Sequence, residues 1–254
     1  MKNKAILVVL LTTLYTIVMG QQVEIPDVIF YNKLIAEGVD ANGDMIISIS
    51  EALDVDSLDI SPREINEIHE FTDTIKSLVG IEHFENLRFL NCSNNRIASC
   101  DLSNNSKLQV LEIISNNLRF LDIGSTELAI LFASHNQLSS ISLTDQVELT
   151  KLDLSQNEYL SEVDLTNMQM LTDLNLSYTK IDVLDISPDN QITTLTFKGY
   201  EFPSIELSLL NELRKLDMEF SSIEILDVRA LQNLQTLEMD WSALKKFTAA
   251  NESL

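Results

Sequence analysis

Residues 108–127 read LQVLEIISNNLRFLDIGSTE, and at Leu128 the pattern begins again. Apolar residues stand at offsets 0, 3, 5, 10, 13 and 15 of this unit: Leu108, Leu111, Ile113, Leu118, Leu121 and Ile123. Leu111 and Ile113 are two apart, as are Leu121 and Ile123. Side chains alternate along an extended chain, so each pair shares one face of a short strand. The unit therefore predicts two short strands, each with one buried face.

Outward from this stretch, the spacing restarts at Leu87, Leu108, Leu128, Leu149, Leu171, Ile192, Leu213 and Leu234, at intervals of 20–22 residues. With one extra residue allowed after Asn157, all eight units are apolar at all six offsets. A chain that is 45% apolar does not produce that by chance. A single unit cannot bury its apolar face alone, whereas stacked units bury each other's. At ~4.8 Å per strand, eight coils make a stack roughly 35 Å long.

The segments LRFLNCSNNRI (residues 87–97) and LTKLDLSQN (residues 149–157) resemble the leucine-rich-repeat family, in its secreted bacterial, internalin-like form. The resemblance covers about Val55 to the end of the chain. It implies an α/β leucine-rich-repeat right-handed solenoid, mainly parallel β, with short coils of 20–22 residues and an N-terminal helical segment. So short a unit leaves little room for a full convex helix, and a second, less regular strand is expected there. The family's asparagine at offset 8 is matched by Asn95, Asn116, Asn136 and Asn157. Later units carry Thr179, Tyr200, Ser221 and Ser242 instead. Hydroxyls replace the amide only in part, so the C-terminal half is expected to be less regular.

Cys92 falls at offset 5 and Cys100 at offset 13, on opposite inner walls of one coil. Packed sheets lie ~10 Å apart, while bridged cysteines need Cα atoms within about 7 Å. Two free, buried thiols are expected.

Before the repeats, Pro26 to Gly38 reads as a helix with Ile29, Phe30, Leu34 and Ile35 on its apolar side. Residues 40–51, DANGDMIISISE, then resemble an EF-hand calcium loop. Asp40, Asn42 and Asp44 occupy ligand positions 1, 3 and 5. Ile46 would offer its carbonyl at position 7, Ser48 stands at position 9, and Glu51 is the acid at position 12. Calcium is the cation such oxygen ligands would hold. Met45 departs from the pattern, because the loop has Gly there for a sharp turn. No second loop is present to pair with it. The alternative is a polar turn between two helices. Residues 21–54 thus form a helix–loop–helix. Residues 55–86, with Leu58, Ile60, Ile75, Leu78, Ile81 and Phe84, read as a cap on the first repeat. Residues 87–254 are the eight repeats, with no evident C-terminal cap.

Residues 1–20 read as a secretory signal peptide: Lys2 and Lys4 precede an apolar run from Ala5 to Val18. No membrane span is expected after its cleavage, and the chain is expected to be secreted or at the cell surface. Lys and Arg total 17 against 39 Asp and Glu, a net charge of −22. Such a surface repels phosphate backbones and anionic lipid, which argues against nucleic-acid binding. His69, His83 and His135 share no catalytic motif, and no H-E-x-x-H, G-x-S-x-G, C-x-x-C or phosphate-loop signature occurs. No enzymatic role is expected.

Offsets 2, 4 and 6 point away from the core, onto the concave face. In the first three coils they gather Phe89, Val110, Ile114, Ile130 and Phe132. A contiguous apolar patch on a secreted protein points to contact with a partner, unless the N-terminal cap folds over it. The resemblance implies a protein partner, through adhesion or surface interaction. The last coils carry Phe220 and Trp241 beside Asp217, Glu219, Glu238 and Asp240, a combination suited to a basic or a carbohydrate partner. The alternatives to a protein-binding module are a carbohydrate-binding module or a structural spacer of a larger surface protein. Offset 14 is acidic in six units (Asp101, Asp122, Asp164, Asp185, Glu206 and Asp227). These side chains face outward, either as a cation ladder or as acceptors for turn amides.

Overall fold

The computed structural model describes residues 22–62, 74–124, 126–199, 201, 204–240 and 243–249. The signal-peptide assignment, His69, Tyr200, Trp241 and Ser242 lie outside the described residues. Among those described, no helix is long and apolar enough to cross a membrane.

The repeat pattern folds as its periodicity demands. Each unit contributes offsets 2–4 to one parallel sheet: β2 (Phe89–Asn91), β4 (Val110–Glu112), β6 (Ile130–Phe132), β7 (Lys151–Asp153), β9 (Asp173–Asn175), β11 (Thr194–Thr196), β12 (Lys215–Met218) and β14 (Thr236–Met239). A further strand from the cap, β1 (Ser57–Asp59), pairs with β2 in the same register, Leu58 opposite Leu90. The result is a nine-stranded sheet whose order follows the chain. Register is strict because a slip of one residue would turn every core leucine to the outside.

The opposite wall is less regular, as the short unit predicts. Here β3 (Ser99–Asp101) pairs β5 (Phe120–Asp122), β8 (Asp164–Leu165) pairs β10 (Asp185–Ile186), and β13 (Ile225–Asp227) pairs β15 (Lys246–Thr248), all parallel. The core fills the space between the two walls. Leu90, Leu111, Leu131, Leu152, Leu174, Leu195 and Leu216 form one buried row, each at most 2% exposed. In the eighth coil Leu237, Met239, Leu244 and Phe247 are only partly buried. No ninth coil lies against it among the described residues.

Four asparagines tie the coils together. Asn116 Oδ1 accepts the Ile97 amide of the preceding coil at 3.0 Å, while its Nδ2 donates to the carbonyl of Cys92 at 3.1 Å. Asn95, Asn136 and Asn157 repeat the arrangement with Ile75, Leu118 and Leu138. Each amide side chain thereby satisfies backbone groups that the turn leaves buried. Past Asn157 the ladder thins. Thr179 donates only to Leu176 within its own coil, and Ser221 donates to Phe197 of the coil before. Hydroxyls do replace the amide in part.

The N-terminal end is closed by helix α1 (Val28–Ala36) and the short helix α2 (Ile49–Leu53). Phe30 and Leu34 of α1 are fully buried. Asn86 Nδ2 donates to the Leu53 carbonyl at 2.7 Å, and Lys33 Nζ to that of Ser61 at 3.2 Å. Gly80, at φ 106°, lets the chain pass close to residues 24–25; a Cβ there would meet the Glu24 carbonyl oxygen at 2.9 Å. Cys92 and Cys100 are both buried and free.

Candidate functional site: the concave sheet

Parallel register sets the concave surface. Phe89 stands opposite Val110, Val110 opposite Ile130, and Ile130 opposite Lys151. Phe132 lies one step along, between Glu112 and Asp153. Ile114 follows β4, and its amide donates to Ser93 Oγ at 3.2 Å. All five apolar residues are half-buried. Their neighbours in sequence, Leu90, Leu111 and Leu131, point to the core instead. The helix–loop–helix of residues 22–54 makes its hydrogen bonds to Ser61 and to residues 76–86 of the cap, at the end of the stack.

Offset 6 is less open than alternation alone predicts. Ser93, Ser134, Ser155 and Ser177 are buried where the chain turns off the sheet. At three of these four, Asn91, Asp153 and Asn175 accept the amide two residues on, and the tight turn folds the chain back over the serine.

The far half of the same face is charged. Lys198 Nζ lies 2.7 Å from Glu219 and 3.0 Å from the buried Asp217, and Lys215 lies 3.2 Å from Glu238. The hydrogen bonds that Lys198 donates, first to Glu219 and then to Asp217, hold its amine above its ordinary range. The concave sheet is thus apolar over its first three coils and ion-paired over its last three.

One feature of the edge is invisible in the repeat pattern. At offset 7 every described coil turns through the left-handed region: Asn94, Ser115, His135, Gln156, Tyr178 and Phe220 have φ between 54° and 59°, and Gly199 has φ 66°. Only Asn and Gly signal such a turn in sequence, so the column could not be read beforehand.

On the opposite wall the acidic column bonds turn amides. Asp101, Asp122, Asp164, Glu206 and Asp227 each accept the amide two residues on. Arg229 also pairs with Asp227 at 2.6 Å, and this contact first of all lowers the Asp227 carboxyl to about 2.

In the loop of residues 40–51 the structure has the expected turn. Met45 sits at φ 64° and Gly43 at φ 75°. Asp40 accepts the amides of Gly43, Asp44 and Met45, Asn42 accepts that of Asp44, and Asp44 accepts that of Ile46. Glu51 Oε1 accepts Ala41 at 3.0 Å and Oε2 accepts Ser48 N at 2.9 Å, closing the loop across its ends. The Ser48 amide and hydroxyl are the leading causes that lower the Glu51 carboxyl. Ile47, the apolar residue between the ligand positions, gives its carbonyl to the Val23 amide at 2.8 Å, so the N-terminal segment stands where a paired loop would. No group of three or more His, Cys, Asp or Glu side chains is gathered as a metal site among the described residues.

A ladder of asparagines behind a parallel concave sheet, repeated every 20–22 residues, decides the fold. The molecule is a leucine-rich-repeat solenoid. No family model matches the sequence, and no curated protein matches it. The solenoid is similar in structure to an internalin (inlF) of Listeria monocytogenes, with a TM-score of 0.57 at 20% identity over 88% of this chain and 82% of that one. It is also similar to a chain in an octameric complex of Latrophilin 3 (Lec, Olf), Unc5D (Ig, Ig2, TSP1) and FLRT2 (LRR), with a TM-score of 0.52 at 17% identity over 70% and 67% of the two chains. At these identities the likeness is one of fold.

Proposed function

We propose that the solenoid is a secreted or cell-surface protein that binds a protein partner through the apolar half of its concave sheet. The observation that carries this reading is the row Phe89–Val110–Ile130, flanked by Phe132 and Ile114. Five apolar side chains sit side by side on the face opposite the core. Folding alone gives them little benefit there, and contiguous apolar surface is what partner interfaces bury. A partner chain accompanies the solenoid fold in the FLRT2-containing complex, which is consistent with this use.

The test is a pull-down from surface and medium extracts with the full chain and with Phe89→Ser, Ile130→Ser and Phe132→Ser combined. The expected result is a protein retained by the parent and lost by the variant, with equal melting temperatures. Equal retention by both would reject the concave patch, and no partner for either would favour a spacer. Retention of glycan in place of protein would favour the carbohydrate-binding alternative.

A second reading concerns the loop of residues 40–51, where Met45 already adopts the left-handed turn that the sixth position of the loop requires. On this reading the loop holds calcium through Asp40, Asn42, Asp44, the Ile46 carbonyl, Ser48 and Glu51, and the cation re-aims side chains that otherwise accept loop amides. Calorimetry at millimolar calcium should show binding that Glu51→Ala abolishes. No heat in the parent leaves a polar turn.

A further inference from the structure

We propose that Phe220, with the carboxylates beside it and Tyr178 in the same column, forms a second binding edge that takes an arginine-bearing, positively charged protein segment. This edge lies at the other end of the sheet from the apolar patch and does not depend on it.

The left-handed turn at offset 7 is imposed by the coil, since every described unit has it. Glycine meets it without strain, as at Gly199, and asparagine meets it well, as at Asn94. A bulky aromatic side chain resists it. Phe220 nevertheless occupies the turn, at φ 59°, and gains nothing from burial, because it is 69% exposed. Neither backbone preference nor core packing accounts for a phenylalanine there. Tyr178 sits in the same column at φ 55° and is 37% exposed. Its ring lies against Gly199, where any Cβ would collide with Tyr178 Cδ1 and Cε1. The column therefore presents a ring, a strip of bare backbone and a second ring, at steps of roughly 5 Å.

The charge beside Phe220 is negative. Glu219 precedes Phe220 in the chain, and Asp217 and Glu238 face each other in register. Lys215 pairs with Glu238, but Lys198 alone serves both Asp217 and Glu219, so these three carboxylates outnumber the two amines that hold them. The whole chain adds a field from its net charge of −22. An aromatic face with a carboxylate at its margin suits a guanidinium, which stacks on the ring while it bonds the acid. Lysine offers a compact point charge and stacks less well. A neutral sugar could use the rings but not the charge.

The test is fluorescence anisotropy with labelled (Arg-Gly)4 and (Lys-Gly)4 peptides against the full chain at low and moderate salt. Phe220→Asn removes the ring and keeps a residue suited to the turn. Phe120→Asn is the control, at an exposed phenylalanine on the opposite wall. The expected result is tighter binding of the arginine peptide, weakened about five-fold by Phe220→Asn and left unchanged by Phe120→Asn. Glu219→Gln should weaken it as well. The melting temperature of Phe220→Asn should equal or exceed that of the parent, which separates lost binding from lost fold. Equal binding by the parent and Phe220→Asn would reduce the attraction to net charge and overturn the proposal. So would no binding of either peptide, or binding of neutral maltohexaose alone that Phe220→Asn removes.

Discussion

Asp27 Oδ2 accepts the backbone amide of Lys76 at 2.8 Å across 49 positions of sequence, while Oδ1 of the same carboxylate caps helix α1 through Ile29 and Phe30. One side chain thus starts the helix and fastens it to the segment under the first coil. Burial pushes the carboxyl up, but the amides of Lys76, Phe30, Ser77 and Ile29 outweigh that and hold it below its usual 3.8.

Asp27→Ala should therefore cost about 2 kcal/mol, more than an ordinary helix cap, because two further amides lose their acceptor. Asp27→Asn keeps one acceptor oxygen and should cost about half as much. The folded pKa is depressed, so the carboxylate's contribution is present above pH 3.8 and is lost as pH falls through the folded value. Urea unfolding of parent and Asp27→Asn at pH 7 and pH 3 checks both statements. The gap between them should narrow at the lower pH.

The asparagine ladder predicts a graded series. Asn116 links two coils through Ile97, Cys92, Ile113 and Ile114, so Asn116→Ala leaves several buried backbone groups unpaired and should cost about 3 kcal/mol. Thr179 makes one bond inside its own coil, and Thr179→Ala should cost about 1 kcal/mol. Equal costs in chemical denaturation would show that the ladder does not hold the coils together.

Met45→Gly tests where the loop's strain acts. Met45 is already at φ 64° with its amide bonded to Asp40, so the unfavourable turn is part of the folded loop before any cation arrives. Glycine should raise stability by about 1 kcal/mol without calcium. Calcium affinity, measured by calorimetry, should change little. A large gain in affinity with unchanged stability would mean that the strain is imposed by the cation instead.

The two thiols should be inert in the folded protein. Burial first, and then the charge of Asp101, pushes the Cys100 thiol up to about 12, and burial raises Cys92 as well. The thiolate is the reactive form. Iodoacetamide at pH 8 should therefore label neither residue until denaturant is added, when both should react. Mass measurement without reductant should show no 92–100 bridge.

Much of this was legible in the sequence because a repeat states its own geometry. The six apolar offsets located eight of the nine strands of the main sheet. They also placed Cys92 and Cys100 within the core and made Leu58 the start of a partial coil, which became β1. The second wall was expected to be irregular, and it consists of three strand pairs. The apolar row Phe89–Val110–Ile130 followed from register alone, because parallel coils of nearly constant length put equal offsets side by side. Two outcomes needed coordinates. Offset 6 looked open by alternation but is closed at Ser93, Ser134, Ser155 and Ser177, and at three of these a turn from Asn91, Asp153 or Asn175 folds over it. The acidic column could have been a cation ladder or a row of turn acceptors, and five of its six members accept amides.

The sequence by itself determined the solenoid, the core and the face on which the apolar patch lies. These depend on periodicity, and burial of one face repeated every 20–22 residues has few solutions. Only the tertiary structure decided the left-handed column that exposes Phe220, the fastening of the cap through Asp27 and Lys76, and the pairing of Ile47 with Val23. Each of these rests on backbone angles or on hydrogen bonds between residues distant in the chain, and neither leaves a mark on local composition.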